Sequence, residues 1–397
     1  MPSPKRWLAL TLSMLLTLSI SACTTESPPA VQPQPTPIPA TAAPPEATVS
    51  ALPTSTPSVT PTAAASSTTT TLITDTIALA PLQPLQRKEI VDRPLRNVRA
   101  LTDGTVKYKT ALWSPGAEWI AAVPQDGPGM DAIDTRSGEV RPIVTDTFVL
   151  EPLWADADTL LVHQTAPDGD QLTRFILAEE AVRQEPLITN APSIRAVGAG
   201  GSSITFATAQ GQLQILQQSM VQHHSLPLAA LVTAPAPEPQ DSPIIAVNPL
   251  VANLEAVQTV LLRIDGDRAT STPLSNAGEG LWLPRWSPDG AKLALTSIEG
   301  RIVSSSSDGA RRFDLGPGDQ PSWSPDGTRL AYAGTSAGLE FISRDIHVTD
   351  WRGAEPRARL TEANEEQFFT SPSWSPDGTR IAFVEIDDGK IYVGDVP

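Results

Sequence analysis

Cysteine occurs once in 397 residues and histidine four times. One thiol excludes an intramolecular disulfide framework and any multi-cysteine metal cluster, and His163, His223, His224 and His347 leave little for an imidazole site. No metal or other cofactor is expected. Positive charge is also short: 28 Lys and Arg stand against 44 Asp and Glu, a net charge of -16. Such a chain has no means of binding a polyanion by charge alone, so nucleic acid is excluded as a partner. Aromatic residues make up 5% of the chain, while Pro, at 40, outnumbers Gly, at 25. The prolines are unevenly placed, and their distribution divides the chain.

What is present begins with Lys5 and Arg6, an apolar stretch from Trp7 to about Leu18, and then small residues. The pattern predicts a secretory signal, because spanning the hydrocarbon layer takes about 20 apolar residues. The following Ile20-Ser21-Ala22-Cys23 resembles the lipobox of bacterial lipoproteins. That resemblance implies diacylglycerol attachment at Cys23 and removal of residues 1–22, leaving the chain anchored to a lipid bilayer through its acylated first residue. Residues 24–75 hold 11 Pro, 14 Thr and only three charges, Glu26, Glu46 and Asp75. No period of two or 3.6 survives there, which predicts a disordered Pro/Thr/Ser/Ala-rich stalk over residues 23–80.

Beyond the stalk a repeat takes over. Trp286-Ser-Pro-Asp289-Gly290, Trp323-Ser-Pro-Asp326-Gly327 and Trp374-Ser-Pro-Asp377-Gly378 continue as AKLALTS, TRLAYAG and TRIAFVE. Weaker copies open at Trp113 and Trp154, and two units without Trp are read at Val197 and Val247, giving steps of 37 to 51 residues. Ser-Pro-Asp-Gly suits a tight turn, and the alternating residues after it suit a strand. Four short strands per forty-odd residues predict propeller blades of four antiparallel strands. Seven units are counted, with six blades as the alternative if the degenerate units are one. The last unit stops after three strands, and RNVRALTD at 96–103 matches the fourth-strand pattern, so this N-terminal strand is expected to close the ring.

The WSPDG-[AT]-[KR]-[LI]-A pattern resembles the TolB-type, WD-like beta-propeller repeat over roughly residues 90–397. The resemblance implies an all-β propeller domain, assigned to residues 81–397, in which the Trp, Asp and Gly of each motif are structural. It spans binding proteins, assembly factors and the propeller domains of prolyl-oligopeptidase-like enzymes, so it implies no single activity.

No Gly-x-Ser-x-Gly elbow accompanies the repeat; Gly200-Gly201-Ser202-Ser203 lacks the final Gly and reads as a turn. Asp168-Gly169-Asp170, Asp265-Gly266-Asp267 and Asp387-Asp388-Gly389 lack the Glu of a calcium-binding EF-hand loop and read as hairpins. In a four-stranded meander the Ser-Pro-Asp-Gly turns share one face with the third-to-fourth hairpins. The longer segments at 124–131, 225–243, 333–345 and 361–370 are assigned to the other face, where variable loops carry function. The candidates there are Asp126, Trp282, Arg344, Glu366, Phe368 and Phe369. The expected function is a lipid-anchored, extracytoplasmic, monomeric propeller of the bacterial cell envelope, a non-catalytic binding or scaffolding module for an envelope protein or polysaccharide. The alternative is an enzyme, a lyase or hydrolase, with its site in the central channel.

Overall fold

The Ser-Pro-Asp-Gly turn shows how the repeat folds. In a computed structural model of the chain, Ser324 Oγ donates to Asp326 Oδ1 at 2.6 Å and accepts from Arg329 N at 3.0 Å, while Asp326 Oδ1 accepts from Thr328 N at 3.0 Å. The same bonds recur at Ser287 and Asp289 and at Ser375 and Asp377. Each turn therefore satisfies its own backbone donors at a bend that has no ladder partner. A fourth copy, Ser306-Ser-Asp308-Gly309, sits in a third-to-fourth hairpin and lacks the Pro.

The structure describes residues 67–75, 79–86, 88–149, 152–166, 169–178, 182–191, 194–200, 203–208, 210–217, 223–237, 244–251, 256–276, 278–337, 342–364 and 367–397. They form seven sheets. Blade 1 is Tyr108–Trp113, Trp119–Pro124, Met130–Asp134 and Val140–Val144, from the inner to the outer strand. Blade 2 is Leu153–Trp154, Thr159–Ala166, Gly169–Leu177 and Val182–Ala191, and blade 3 is Ile194–Gly200, Ser203–Thr208, Leu213–Gln217 and His223–Leu226. Blade 4 comprises Ala230–Pro235, Ile244–Pro249, Val260–Asp265 and Arg268–Pro273, and blade 5 Leu281–Trp286, Lys292–Ser297, Arg301–Ser306 and Arg312–Pro317. Blade 6 is Asp319–Trp323, Arg329–Ala337, Ile342–Asp350 and Arg357–Arg359. Blade 7 takes Phe369–Trp374, Arg380–Glu385 and Ile391–Asp395 from the C-terminus and Arg96–Ala100 as its outer strand. The fold is thus a seven-bladed, all-β propeller of four-stranded antiparallel blades, closed as expected by the strand near residue 96.

One apolar cluster lies in every seam between neighbouring blades. The seventh joins Tyr108, Ile120 and Ile133 of blade 1 to Ala382, Val384 and Ile391 of blade 7, so the ring is shut by packing as well as by pairing. The repeat tryptophans fill these seams: Trp113, Trp323 and Trp374 are buried, and the indole Nε1 of Trp154, Trp286 and Trp323 donates to the inner strand of the preceding blade at 2.7 to 3.1 Å. Blade 3 has no such Trp. Its inner strand instead approaches blade 4 so closely that a Cβ at Gly198 would lie 2.2 Å from Thr233 O.

Two differences from the sequence reading are clear. The unit placed at Val247 begins earlier: Val247 lies in the second strand of blade 4, and its inner strand, Ala230–Pro235, falls inside the Pro-rich stretch assigned to a face loop. Pro235 is tolerated because it ends that strand. The second difference lies in the residues ahead of the closing strand. Ser67–Thr69 pairs in parallel with the outer strand of blade 3, Thr71–Thr74 with that of blade 4, and Ile90–Asp92 with that of blade 6, while Gln83 bridges Phe313 on blade 5. The residues before the closing strand therefore form a belt along the rim, starting ahead of the expected boundary at 81. Leu72, Leu82, Leu85, Leu95 and Leu101 peg successive seams from blades 3 and 4 round to blades 7 and 1. Composition misses this, because Thr and Pro read as linker until an unpaired outer edge is there to receive the strand.

Cys23 and the Ile20-Ser21-Ala22 tripeptide lie outside the described residues. Among those described, no helix is long and apolar enough to cross a membrane.

Candidate functional site

Strand direction alternates within each blade, so the five described candidates share the face opposite the Ser-Pro-Asp-Gly turns. Asp126 is exposed in the loop before the third strand of blade 1, Trp282 is second in the inner strand of blade 5, Arg344 opens the third strand of blade 6, and Phe368 and Phe369 enter the inner strand of blade 7. Glu366 falls outside the described residues.

Three of them meet at the seam of blades 6 and 7. Arg344 N donates to Gln367 O at 3.1 Å, its backbone bridges Phe368, and its guanidinium pairs with Asp319 at the mouth of the blade 6 inner strand. Phe368 O accepts from Ile386 N at 3.0 Å. Phe369 packs its edge on Phe383 at 5.4 Å, and Phe383 stacks on Tyr392, so Phe369 is an anchor of the core rather than a free contact. Asp126 and Trp282 stand apart from this group. The Trp282 ring is half-buried, and its buried Nε1 has no acceptor among the described residues.

The inner strands beneath this face share a bulge. Leu283, Gln320 and Ser371, each just before a Pro, have φ of 51°, 54° and 51°, a left-handed backbone that ordinary side chains seldom adopt. Neighbouring blades hold two of them: Leu283 N donates to Asn248 Oδ1 at 3.1 Å and Ser371 N to Gln320 Oε1 at 2.7 Å, while Ser371 Oγ accepts from Ala111 N at 3.0 Å. The polar side chains at the channel thus stitch blade to blade.

Blades 7 and 1 carry groups that pattern reading passed over. Tyr108 Oη donates to Asp131 Oδ2 at 2.7 Å, and burial holds the Asp131 carboxyl above its usual range despite that bond. Burial, with Asp387 and Asp388 nearby, also raises Glu385, whose Oε2 accepts from Asp388 N at 2.8 Å while its buried Oε1 has no partner among the described residues. Tyr392 is pushed up to about 12 by burial and by its bond to Asp388. Burial lowers the Lys109 ammonium, with Asp126 opposing. Gln125 Nε2 ties the two blades, donating to Ile386 O at 2.7 Å and Tyr108 O at 3.0 Å. Carboxyls that hold protons more tightly can exchange protons or hydrogen bonds with a polar ligand. The available signal was Asp131 between apolar residues in MDAID.

The opposite face carries a cavity of about 180 Å³ between blades 2 and 3, lined by Asp156, Arg174, Gly200 and Ser203 among others. Among the described residues no three His, Cys, Asp or Glu are placed to hold a metal ion.

No family model matches the chain, and no curated protein matches it significantly. Among solved structures it is similar to an oligogalacturonate lyase from Vibrio parahaemolyticus, with 12% identity, a TM-score of 0.53, and 76% of this chain and 93% of that chain covered. At that identity the likeness establishes the beta-propeller fold and nothing finer.

Proposed function

We propose that the chain is a lipid-anchored, extracytoplasmic propeller of the bacterial cell envelope, a non-catalytic binding or scaffolding module of TolB-like type for an envelope protein or polysaccharide. The path of the belt carries this reading. It joins the ring along the outer edges of blades 3 to 6 rather than across a face, so the belt itself covers neither set of face loops. The loops around Asp126, Arg344 and Phe368 are the contact surface.

The test is chemical crosslinking of the full chain in its own cell envelope. A partner captured by the native protein should be lost on Phe368→Ala combined with Asp126→Lys and kept on Arg311→Ala, on the opposite face. Loss in all variants, or in none, removes the assigned face.

The raised Asp131 and Glu385 carboxyls favour a second reading, a polysaccharide lyase or hydrolase. Oligogalacturonate, the substrate named for the similar structure, is the first compound to try, with the ultraviolet absorbance of an unsaturated uronate as the readout. A signal abolished by Asp131→Asn would favour the enzyme over the scaffold.

A further inference from the structure

The seam between blades 5 and 6 holds a row of polar groups that neither the repeat nor the candidate face uses. Tyr332 on the second strand of blade 6 pairs across to His347 on the third, and His347 pairs across to Arg359 on the outer strand. Alternate residues of a strand share a face, so Thr349 and Arg357 lie on the same side. The Tyr332 and His347 rings stack at 5.7 Å with their planes 22° apart. Tyr332, His347 and Thr349 are 0%, 3% and 3% exposed. Within this row Tyr332 Oη, His347 Nδ1, Thr349 Oγ1 and Arg357 Nε are buried and meet no hydrogen-bond criterion with a partner among the described residues. One orphaned donor of this kind costs about 1–3 kcal/mol. Four on one face of one blade point to a ligand.

Arg357 sets the sign of that ligand. Its Nη2 donates to Lys88 O of the belt at 3.2 Å, and among the described residues no carboxylate pairs with it. The acids nearby are committed elsewhere. Asp92 takes Arg359 at 2.7 Å, Asp345 accepts from the Thr361 hydroxyl and Ala363 N at 2.8 Å each, and Asp314 on blade 5 pairs with Arg301. The Arg357 guanidinium opposes the burial-driven rise of the Tyr332 phenol, by its charge and by its approach to the phenol oxygen, which leaves the Tyr332 O–H proton to donate; it also adds to the burial that holds the His347 imidazole down at about 4, which places its charge beside both rings. Glycines leave room for the row: a Cβ at Gly318 would lie 2.6 Å from the Tyr332 ring, and one at Gly316 would lie 3.2 Å from Arg357 Nη1.

We propose that this seam binds a small monovalent anion, chloride in the first instance, which accepts hydrogen bonds from Tyr332 Oη, the Nδ1–H tautomer of His347, Thr349 Oγ1 and Arg357 Nε. An anion answers the four buried polar atoms and a half-buried guanidinium that has no carboxylate partner among the described residues together. A water molecule answers the hydrogen bonds but leaves the charge.

The test uses the full chain in detergent, unfolded thermally over a chloride series at constant ionic strength, with methanesulfonate making up the balance. Tm should rise with chloride and saturate, and Arg357→Gln should weaken the fitted chloride affinity at least tenfold. Tyr332→Phe keeps the stacked ring and loses one donor, so it should weaken chloride severalfold even if the Arg357 variant folds poorly. Crystals grown in bromide should show an anomalous peak among the four atoms. A Tm flat in chloride, equal chloride responses in the native protein and both variants, or water at the site in bromide would each overturn the proposal.

Discussion

At the scale of the residue, the repeat concentrates stability in a few side chains. Trp323 fills the seam of blades 5 and 6, and its Nε1 donates to Arg285 O at 2.9 Å, so Trp323→Ala should cost about 3–5 kcal/mol in chemical denaturation. Asp326→Ala removes only the turn bonds to Ser324 and Thr328 and should cost about 1 kcal/mol. His347 gives the chain an acid sensitivity. Its folded pKa, about 4, lies below the ordinary 6.5, because burial and the neighbouring Arg357 and Arg359 disfavour the imidazolium, with Asp92 opposing them. Between those values the unfolded chain takes up a proton that the folded chain refuses. Stability is therefore full above about pH 6.5 and falls as pH drops towards 4, by up to about 3 kcal/mol. Urea denaturation at pH 7 and pH 4.5 should show a loss that His347→Gln reduces. Asp326 and Asp377, lowered chiefly by the hydroxyls of Ser324 and Ser375, lose their contribution only below the usual carboxylate value, so their window is separate. The Trp and Asp roles were legible in the sequence because the motif repeats. His347 was not, because IHV reads as an ordinary strand until Arg357 arrives beside it from the outer strand.

At the scale of the element, the belt is the feature that composition concealed. The Thr71–Thr74 strand donates no core of its own, and only Leu72 reaches an apolar cluster. Its bonds to blade 4 form because the outer strand Arg268–Pro273 presents an unpaired edge. Deleting residues 67–80 removes two parallel strands and the Leu72 peg. The ring should remain folded with Tm several degrees lower, a loss of about 2–4 kcal/mol, measured by thermal unfolding of matched chains. An unchanged Tm would show that the belt before residue 81 adds nothing to the ring. The bulges at Leu283, Gln320 and Ser371 belong to the same scale. A Pro two residues before each repeat Trp was visible in LPRW, QPSW and SPSW, but the left-handed residue ahead of it depends on acceptors from the neighbouring blade.

At the scale of the whole molecule, closure makes seven weak blades into one body. Each blade alone exposes two apolar faces, and the seventh seam covers the last pair. Deleting residues 67–104 would remove the closing strand and with it the antiparallel pairs of Arg99 with Val393 and Arg96 with Asp395. The expected result is loss of the cooperative transition and association through the opened edge, visible by light scattering. A monomer with native melting would mean that packing at the seam of blades 7 and 1 suffices without the strand. The sequence by itself determined the blade unit, the count of seven and the closing strand, because a motif repeated at forty-odd residues fixes local turns and strand alternation wherever it occurs. It placed the candidate loops on one face by strand direction alone. Only the tertiary structure decided that Phe369 is a core anchor, that burial raises the Asp131 and Glu385 carboxyls, that Ser67–Thr69 and Thr71–Thr74 belong to a belt, and that Tyr332, His347, Thr349 and Arg357 line one seam. Those arrangements join residues from different strands and from the far end of the chain, and no local pattern encodes which edge or which neighbour a side chain will meet.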